Sequence, residues 1–380
     1  MTAHVFIVDY ITFKIHLEYL FAGTGAKNHI IDFNNKHTSN LSPNTEKNLV
    51  AMMSDISRIR KNDYIIFYLQ QKIKKGIKEG KFFGIFQAAK DISFIDNNDG
   101  DQYLKEMLQK SLTFRILIKP YQIYQDGVTE WEALDEIRNI QSPSQMLWSL
   151  IYRKLKANRG NTMITIYESE RLFQLIRNKN KRTFLSQDAH SFSFDIDNQK
   201  IITIERENID YEGRKENINI FPRLKNKYIR NQSFEPHLQL YICQNIGRNT
   251  NSSLDNLLLS NNELEWIGNE VSCGVGMQRI DILLSLKNKS QRMLLPIELK
   301  AVRSEENNLK QIQRYIEWIR QYYIPNHPSD IQPVLITKGG RLPINSLKEF
   351  NNSNQNDCKP LKHIEIIIDN DEIIFDEIVY

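Results

Sequence analysis

The chain has 380 residues, 41% hydrophobic and 25% charged, with 50 basic against 46 acidic side chains for a net charge of +4. That length favours two domains over a single core. The composition is that of a soluble globular protein, and no apolar run approaches the roughly 20 residues that span a bilayer. So slight a positive charge permits nucleic-acid binding without arguing for it.

The opening MTAHVFIVDYITF has no basic n-region followed by a small-residue cleavage site, so it reads as a strand and not as a signal peptide. A polar stretch runs from Asn34 to Asn44, and TEKNLVAMMSDISRI has the period of an amphipathic helix. DYIIFYLQ (Asp63 to Gln70) and KFFGIFQAAK (Lys81 to Lys90) predict paired strands around a basic loop. LTFRILIKPYQIY (Leu112 to Tyr124) predicts a further strand, ended by the Asp-Gly at Asp126. Helices centred on SQMLWSLIYRKL and SERLFQLIRN follow. Residues 179–232 turn polar and basic and read as a connector with one hairpin, FSFDIDNQKIITI, turning at Asp197–Asn198.

From Phe234 the order is helix (FEPHLQLYICQNIG), three strands (ELEWIGNEVS, RIDILLSL, RMLLPIELKAV), an amphipathic helix (NLKQIQRYIEWIRQYY) and a fourth strand (QPVLITKG). The tail, HIEIIIDNDEIIFDEIV, predicts a hairpin turning at Asn370–Asp371. Cys243, Cys273 and Cys358 form neither a CxxC pair nor a disulfide framework, which fits a reducing cytoplasm. The histidines show no paired zinc-ligand spacing. AGTGAKN (Ala22 to Asn28) lacks the spacing of a phosphate loop, so no nucleotide cofactor is expected. Three basic runs stand out: KIKKGIKEGK from Lys72, RNKNKR from Arg177 and PRLKNKYIR from Pro222. Each is more ordinarily a solvated loop than a phosphate track.

One constellation has a sharp chemical meaning. Glu298 and Lys300, two apart on a predicted strand, project to one face, and Asp281 on the preceding strand can point to the same face. Phosphodiester hydrolysis needs a deprotonated water and neutralised charge at the attacking and leaving oxygens. A divalent cation held by carboxylates meets both needs. Mg²⁺ asks for a few oxygen ligands and retains waters, so Asp281 and Glu298 are the candidate metal ligands, with Mn²⁺ able to substitute. Lys300 would orient the attacking water and offset charge on the phosphorane. Glu265 and Glu270, on the strand before, are further acids of lower standing, and Tyr315 and Trp318 lie on a stripe that reads as core.

This order of elements, with Asp281 and the IELK segment on its second and third strands, resembles the PD-(D/E)XK nuclease superfamily, Ile280–Asp281 standing where Pro-Asp is usual. RIDILL, IELK and QIQRYIEWI together look like the C-terminal domain of NucS-like nucleases over residues 233–340 or so. The resemblance implies a catalytic set of Asp281, Glu298, Lys300, Gln311 on the following helix and Glu235 on the leading one. Earlier in the chain, DYIIFYLQ, KFFGIFQAAK, LTFRILIKPYQIY, VTEWEALD and IYRKLKANRGNTMI resemble the PUA-like group that contains EVE and YTH domains. That likeness implies a β-barrel-like module binding a base in a pocket. Tyr10, Phe94 and Trp131, all beside predicted turns, are candidate pocket walls. Arg159 and Gly160 are candidate phosphate contacts, although Gly160 also suits a helix end.

The expected architecture is therefore a two-domain α+β / α/β protein. Residues 1–178 form a PUA-like module, 179–232 a connector, and 233–380 a PD-(D/E)XK mixed sheet flanked by helices. The expected activity is modification-dependent DNA cleavage with Mg²⁺ by a cytoplasmic homodimer acting on modified duplex, without membrane partners. A mismatch- or structure-directed nuclease and a catalytically weak nucleic-acid adaptor are the alternatives, and RNA stays open as the target of the first module.

Overall fold

A computed structural model describes the chain except residues 28, 34–40, 137, 139, 147–159, 186–190, 206–208, 274–277, 290, 324–329 and 370–371. Its contacts divide it into two units, Met1–Asp32 with Asp55–Ile218, and Phe33–Ser54 with Asn219–Tyr380. The architecture is mixed α/β, with helices set on more than one sheet.

In the first unit β1 (Ala3–Val8), β2 (Phe21–Thr24), β3 (Tyr64–Leu69), β4 (Lys81–Ala88), β5 (Phe94–Ile95), β6 (Phe114–Pro120), β7 (Val128–Thr129) and β8 (Asn161–Ile164) form a curled mixed sheet. Its order is β2-β6-β4-β3-β1-β8, with β5 on β6 and β7 on β4. Only the β1–β3 ladder is parallel among the described pairs.

The opening apolar run does not stay a strand. It breaks at Asp9, whose carboxylate accepts the Thr12 N–H at 2.8 Å and caps the helix Tyr10–Tyr19. The β-preferring residues Ile11, Thr12 and Phe13 are helical because tertiary burial overrides propensity. Phe13 is wholly buried, its ring centroid 4.9 Å from that of Phe194 and 5.3 Å from that of Phe67. The glycines of AGTGAKN have a packing role: a Cβ on Gly25 would stand 2.4 Å from the Ser111 carbonyl oxygen.

The hairpin expected within 179–232 is present as β9 (Ser191–Asp195) and β10 (Lys200–Ile204), with Asp195 accepting the N–H groups of Asp197 and Asn198. Further along, Arg214 joins Arg115 around the buried Asp96, each pairing at 3.1 Å. Residues 179–218 thus group with the first unit, and 219–232 with the second.

The second unit is built on a six-stranded sheet: β11 (Glu263–Ser272), β12 (Arg279–Asn288), β13 (Gln291–Lys300), β14 (Val334–Thr337), β15 (Lys362–Asp369) and β16 (Glu372–Glu377), in that order. β11, β12 and β13 are antiparallel, β13, β14 and β15 run parallel, and β16 returns antiparallel. The terminal hairpin is as read from the sequence, although its turn lies outside the described residues.

On one face Leu238 and Ile242 from the helix Glu235–Asn245 pack with Ile282, Leu284, Ile297 and Leu299. Each such side chain contributes about 1.5–3 kcal/mol by leaving water. The alternate residues of β12 and β13 therefore point the other way, where the helix Glu306–Trp318 packs on β13.

The helix Pro43–Ser57 brings its residues up to Ser54 into the second unit from far up the chain. Its Glu46, 4% exposed, accepts Arg223 Nε and Nη2, both at 2.7 Å, and has His237 Nε2 at 2.7 Å and Lys227 Nζ at 3.7 Å. His237 sits on the helix Glu235–Asn245, so this ion cluster moors the helix that carries Glu235. No described helix is long and apolar enough to cross a membrane.

Candidate active site

Ile282 pairs with Ile297 and Leu283 with Pro296 across β12 and β13. Continuing that register by one residue sets Asp281 beside Glu298, and directly opposed residues of an antiparallel pair share a face. Lys300 follows on that face two residues later. The result is two carboxylates side by side at one end of the sheet, Glu298 being 1% exposed.

Each side chain is held. Asp281 Oδ2 accepts the Leu299 N–H at 2.9 Å, and its backbone carbonyl accepts Gln239 Nε2 at 2.8 Å. Lys300 Nζ lies 2.5 Å from Glu298 Oε1. That oxygen nevertheless has no hydrogen bond of acceptable alignment, so the contact is an ion pair whose acceptor keeps lone-pair capacity. Glu298 Oε2 accepts the Tyr315 hydroxyl at 2.6 Å, and Gln311 Nε2 donates to the same hydroxyl oxygen at 2.7 Å. Glu235 closes the edge of the site, its Oε1 accepting the Ala301 N–H at 3.2 Å.

The electrostatics follow from this crowding. Burial, and then the charge of Glu298, push Asp281 well above the ordinary carboxylate range. Burial also pushes Glu298 up, against the paired Lys300 ammonium and the hydrogen bond from Tyr315. For Lys300 burial favours the neutral amine, but Glu298 first, with Glu235 and Asp281, outweighs it and holds the ammonium charged. Burial and the neighbouring carboxylates push the Tyr315 phenol far up, so it stays a donor. Cys273, buried close to both acids, is pushed up to about 12, chiefly by burial, and is inert as a thiolate.

A hard divalent cation fits this donor set. Two crowded carboxylates are short of positive charge, and one buried oxygen lacks an aligned donor. Among the described residues no three His, Cys, Asp or Glu side chains are close enough to enclose an ion. An ion on Asp281 and Glu298 would therefore keep several waters, as Mg²⁺ does.

All five residues of the expected catalytic set gather here, with Gln311 reaching Glu298 only through Tyr315. Tyr315 is buried, as its place on the apolar stripe implies, and its hydroxyl also reaches the site. The available signal was its hydroxyl, since a buried phenol needs a partner. Glu265 and Glu270 are occupied elsewhere, by Arg292 at 2.5 Å and by Arg279.

The base-pocket candidates have unlike surroundings. Tyr10 is half-buried with Lys72 Nζ 5.0 Å from its ring, Phe94 is buried against Tyr211, and Trp131 is 66% exposed. An open cleft of about 860 Å³ in the first unit is lined by residues from Asn98 to Ser111, including Tyr103, Lys105 and Lys110, and by none of those three. Arg159 lies outside the described residues. Gly160 has φ +70° and accepts the Ile7 N–H at 2.8 Å, and a Cβ on it would stand 2.9 Å from Thr24 Cγ2.

No family model matches the chain, and no curated protein matches it. Among solved structures it is similar to a complex of EndoMS with double-stranded DNA, at 18% identity and a TM-score of 0.20. That likeness covers 30% of this chain and 44% of the other, so it spans less than half of that protein.

Two expected results follow from the geometry. Asp281→Asn keeps an acceptor for the Leu299 N–H and removes one of two crowded charges. In the metal-free protein at pH 7 it should gain about 0.5–2 kcal/mol, roughly 2–6 °C in Tm. The sign comes from linkage. Because the folded-state pKa lies above the ordinary 3.8, the native state holds the proton more tightly. The wild type therefore loses stability as pH climbs from near 4 through the raised value, and the variant lacks that slope. A calorimetric Tm series across pH in chelator measures it. Tyr315→Phe frees Glu298 Oε2 from its donor and should cost about 0.5–1.5 kcal/mol in stability. It should also slow any metal-dependent cleavage several-fold, read from single-turnover rates.

Proposed function

We propose that the chain is a Mg²⁺-dependent DNA endonuclease of restriction type, in which the first unit recognises a modified base and the second hydrolyses the phosphodiester backbone. The observation that carries the hydrolytic half is the burial of Asp281 beside Glu298 with Lys300 on the same face. A stability-driven core has little use for two adjacent carboxylates with raised pKa values, and such pairs mark reaction centres. The reading half is supported by the PUA-like strand succession and by the curled sheet it forms. Recognition would use stacking and hydrogen bonds to the edge of an extruded base, which offset the few kcal/mol that flipping costs.

In this reading Asp281 and Glu298 hold the ion, and the chemistry Mg²⁺ supplies when bound is neutralisation of phosphoryl charge and acidification of water. Mn²⁺ would substitute. The Lys300 ammonium orients the attacking water and offsets negative charge on the phosphorane. Tyr315 and Gln311 fix the Glu298 rotamer, and Glu235 helps keep Lys300 protonated. A homodimer in the cytoplasm acting on modified duplex completes the proposal, since one site per chain cuts one strand at a time.

Two plasmids of identical sequence, one plain and one carrying methylated or hydroxymethylated cytosine, test it in Mg²⁺. Preferential cleavage of the modified plasmid is expected. Equal cleavage removes modification dependence and points to a structure- or mismatch-directed nuclease. No metal-dependent cleavage of either, or of branched and mismatched duplexes, overturns the nuclease reading.

A further inference from the structure

Two of the three basic runs meet in the first unit, joined by contacts between distant segments. The β3–β4 loop carries Lys72, Lys74, Lys75 and Lys78 against a single acid, Glu79. It is folded and not a free tether: Lys72 bridges to Ile77, whose side chain is buried, and Gly76 takes the turn at φ +78°. Gln199, at the turn between β9 and β10, donates to the Gly76 carbonyl at 3.1 Å. The neighbouring Lys200 bridges to Asp126, which in turn exchanges hydrogen bonds of 2.9 Å with Asn180 inside the second basic run. Lys179 pairs with Glu132 on the short helix that holds Trp131, and the Glu130 N–H returns to the Gly80 carbonyl at 2.8 Å.

Three acids on this face have partners of their own. Asp126 faces Lys200 at 3.5 Å, Glu132 faces Lys179 at 2.6 Å, and Glu130 accepts the Tyr68 hydroxyl at 2.7 Å. Lys74, Lys75, Lys78, Lys181 and Arg182 are exposed. Among them stand large apolar side chains in water: Ile73 is 71% exposed, Trp131 66% and Phe184 52%. Clustered cations interleaved with exposed rings match a polyphosphate whose bases can stack, since phosphates pair with lysine and arginine while base faces lie on aromatic ones. An acidic protein would meet the charges but gives no reason for a tryptophan this exposed beside them.

We infer that this face, the β3–β4 lysine loop with Lys181, Arg182 and Trp131, docks the DNA backbone and stacks an unpaired base on Trp131. The inference deepens the nuclease reading by assigning substrate binding to particular residues of the first unit.

The full chain carrying Glu298→Gln, in chelator so that nothing is cut, is titrated onto a fluorescein-labelled 30-nucleotide strand and onto its duplex at several salt concentrations. Joint Lys74→Gln, Lys75→Gln and Lys78→Gln replacement should weaken binding to both more than about tenfold and reduce the log–log salt slope by roughly 2 to 3 units. Trp131→Ala should weaken binding to the single strand about 5-fold or more and leave the slope unchanged. Melting curves equal to the parent exclude misfolding. Binding within twofold of the parent with an unchanged slope overturns the inference, as does a change of oligomeric state with DNA binding intact, which would make the face a protein contact. Failure of the nuclease reading looks different: lysine-dependent binding with no metal-dependent cleavage by the parent leaves this surface standing. Cleavage that needs Glu298 but ignores the lysines and Trp131 leaves the active site standing and removes the surface.

Discussion

Lys300→Ala should lower the rate of Mg²⁺-dependent DNA cleavage by about 10²- to 10³-fold, the usual cost of losing one fixed charge aimed at a developing oxyanion. The side chain is 23% exposed and its charge is sustained by Glu298, Glu235 and Asp281 together. Its removal takes away the cation 2.5 Å from Glu298, so Glu298 should rise further in pKa and the acid limb of the pH–rate profile should move up. Lys300→Arg should not restore the rate, because a planar fork cannot replace a compact ammonium at that spacing. Glu298→Gln should lose more than Lys300→Ala, since it removes both a candidate metal ligand and the partner of Lys300. Single-turnover cleavage across pH and Mg²⁺ concentration, with circular dichroism to confirm the fold, reads all three. A Lys300→Ala protein cutting at the parent rate would remove this residue from the mechanism.

The second large effect is on stability. Glu46→Ala should destabilise the second unit by about 3–5 kcal/mol, because Arg223 and Lys227 would lose a shared buried counter-charge and His237 its hydrogen-bond partner, and Tm should fall by roughly 6–20 °C. Burial opposes the charge on Glu46, but the hydrogen bonds from Arg223 and His237 win and hold the carboxyl far below its ordinary 4.5. A depressed folded-state pKa gives stability that is complete above the unfolded value and is lost as pH falls below about 4.5 toward the folded value. The parent should therefore melt at progressively lower temperature in acid, and the gap between parent and variant should narrow there. Because His237 shares a helix with Glu235, cleavage should also weaken. Calorimetry from pH 3 to pH 7 tests both claims; a loss under 1 kcal/mol at pH 7 would show the cluster to be dispensable.

The cluster of Asp281, Glu298 and Lys300 was legible because its information is local. Strand period fixes Glu298 and Lys300 to one face, and one strand pairing supplies Asp281. The six-stranded sheet was legible for the same reason, each strand being an apolar run of its own. Tyr315 was not, because a core stripe and a buried hydroxyl donor share one helical period and differ only in what lies opposite. The break at Asp9 was missed because Ile11 and Phe13 favour strands in isolation, and only the packing of Phe13 against Phe67 and Phe194 decides otherwise. Glu46 was beyond local reading altogether: its partners Arg223 and His237 lie 177 and 191 positions away.

That separation bears on how the molecule is made. At about 5–20 residues per second, a ribosome that has just added Glu46 needs roughly 10–35 s to reach Arg223. Throughout that interval the first segment of the second unit exists without its partners, while most of the first unit is being synthesised. The helix Pro43–Ser57 must stay available and unaggregated until the chain downstream catches up. Slowing translation between positions 60 and 220 should lower the yield of native protein, and supplying chaperone should restore it.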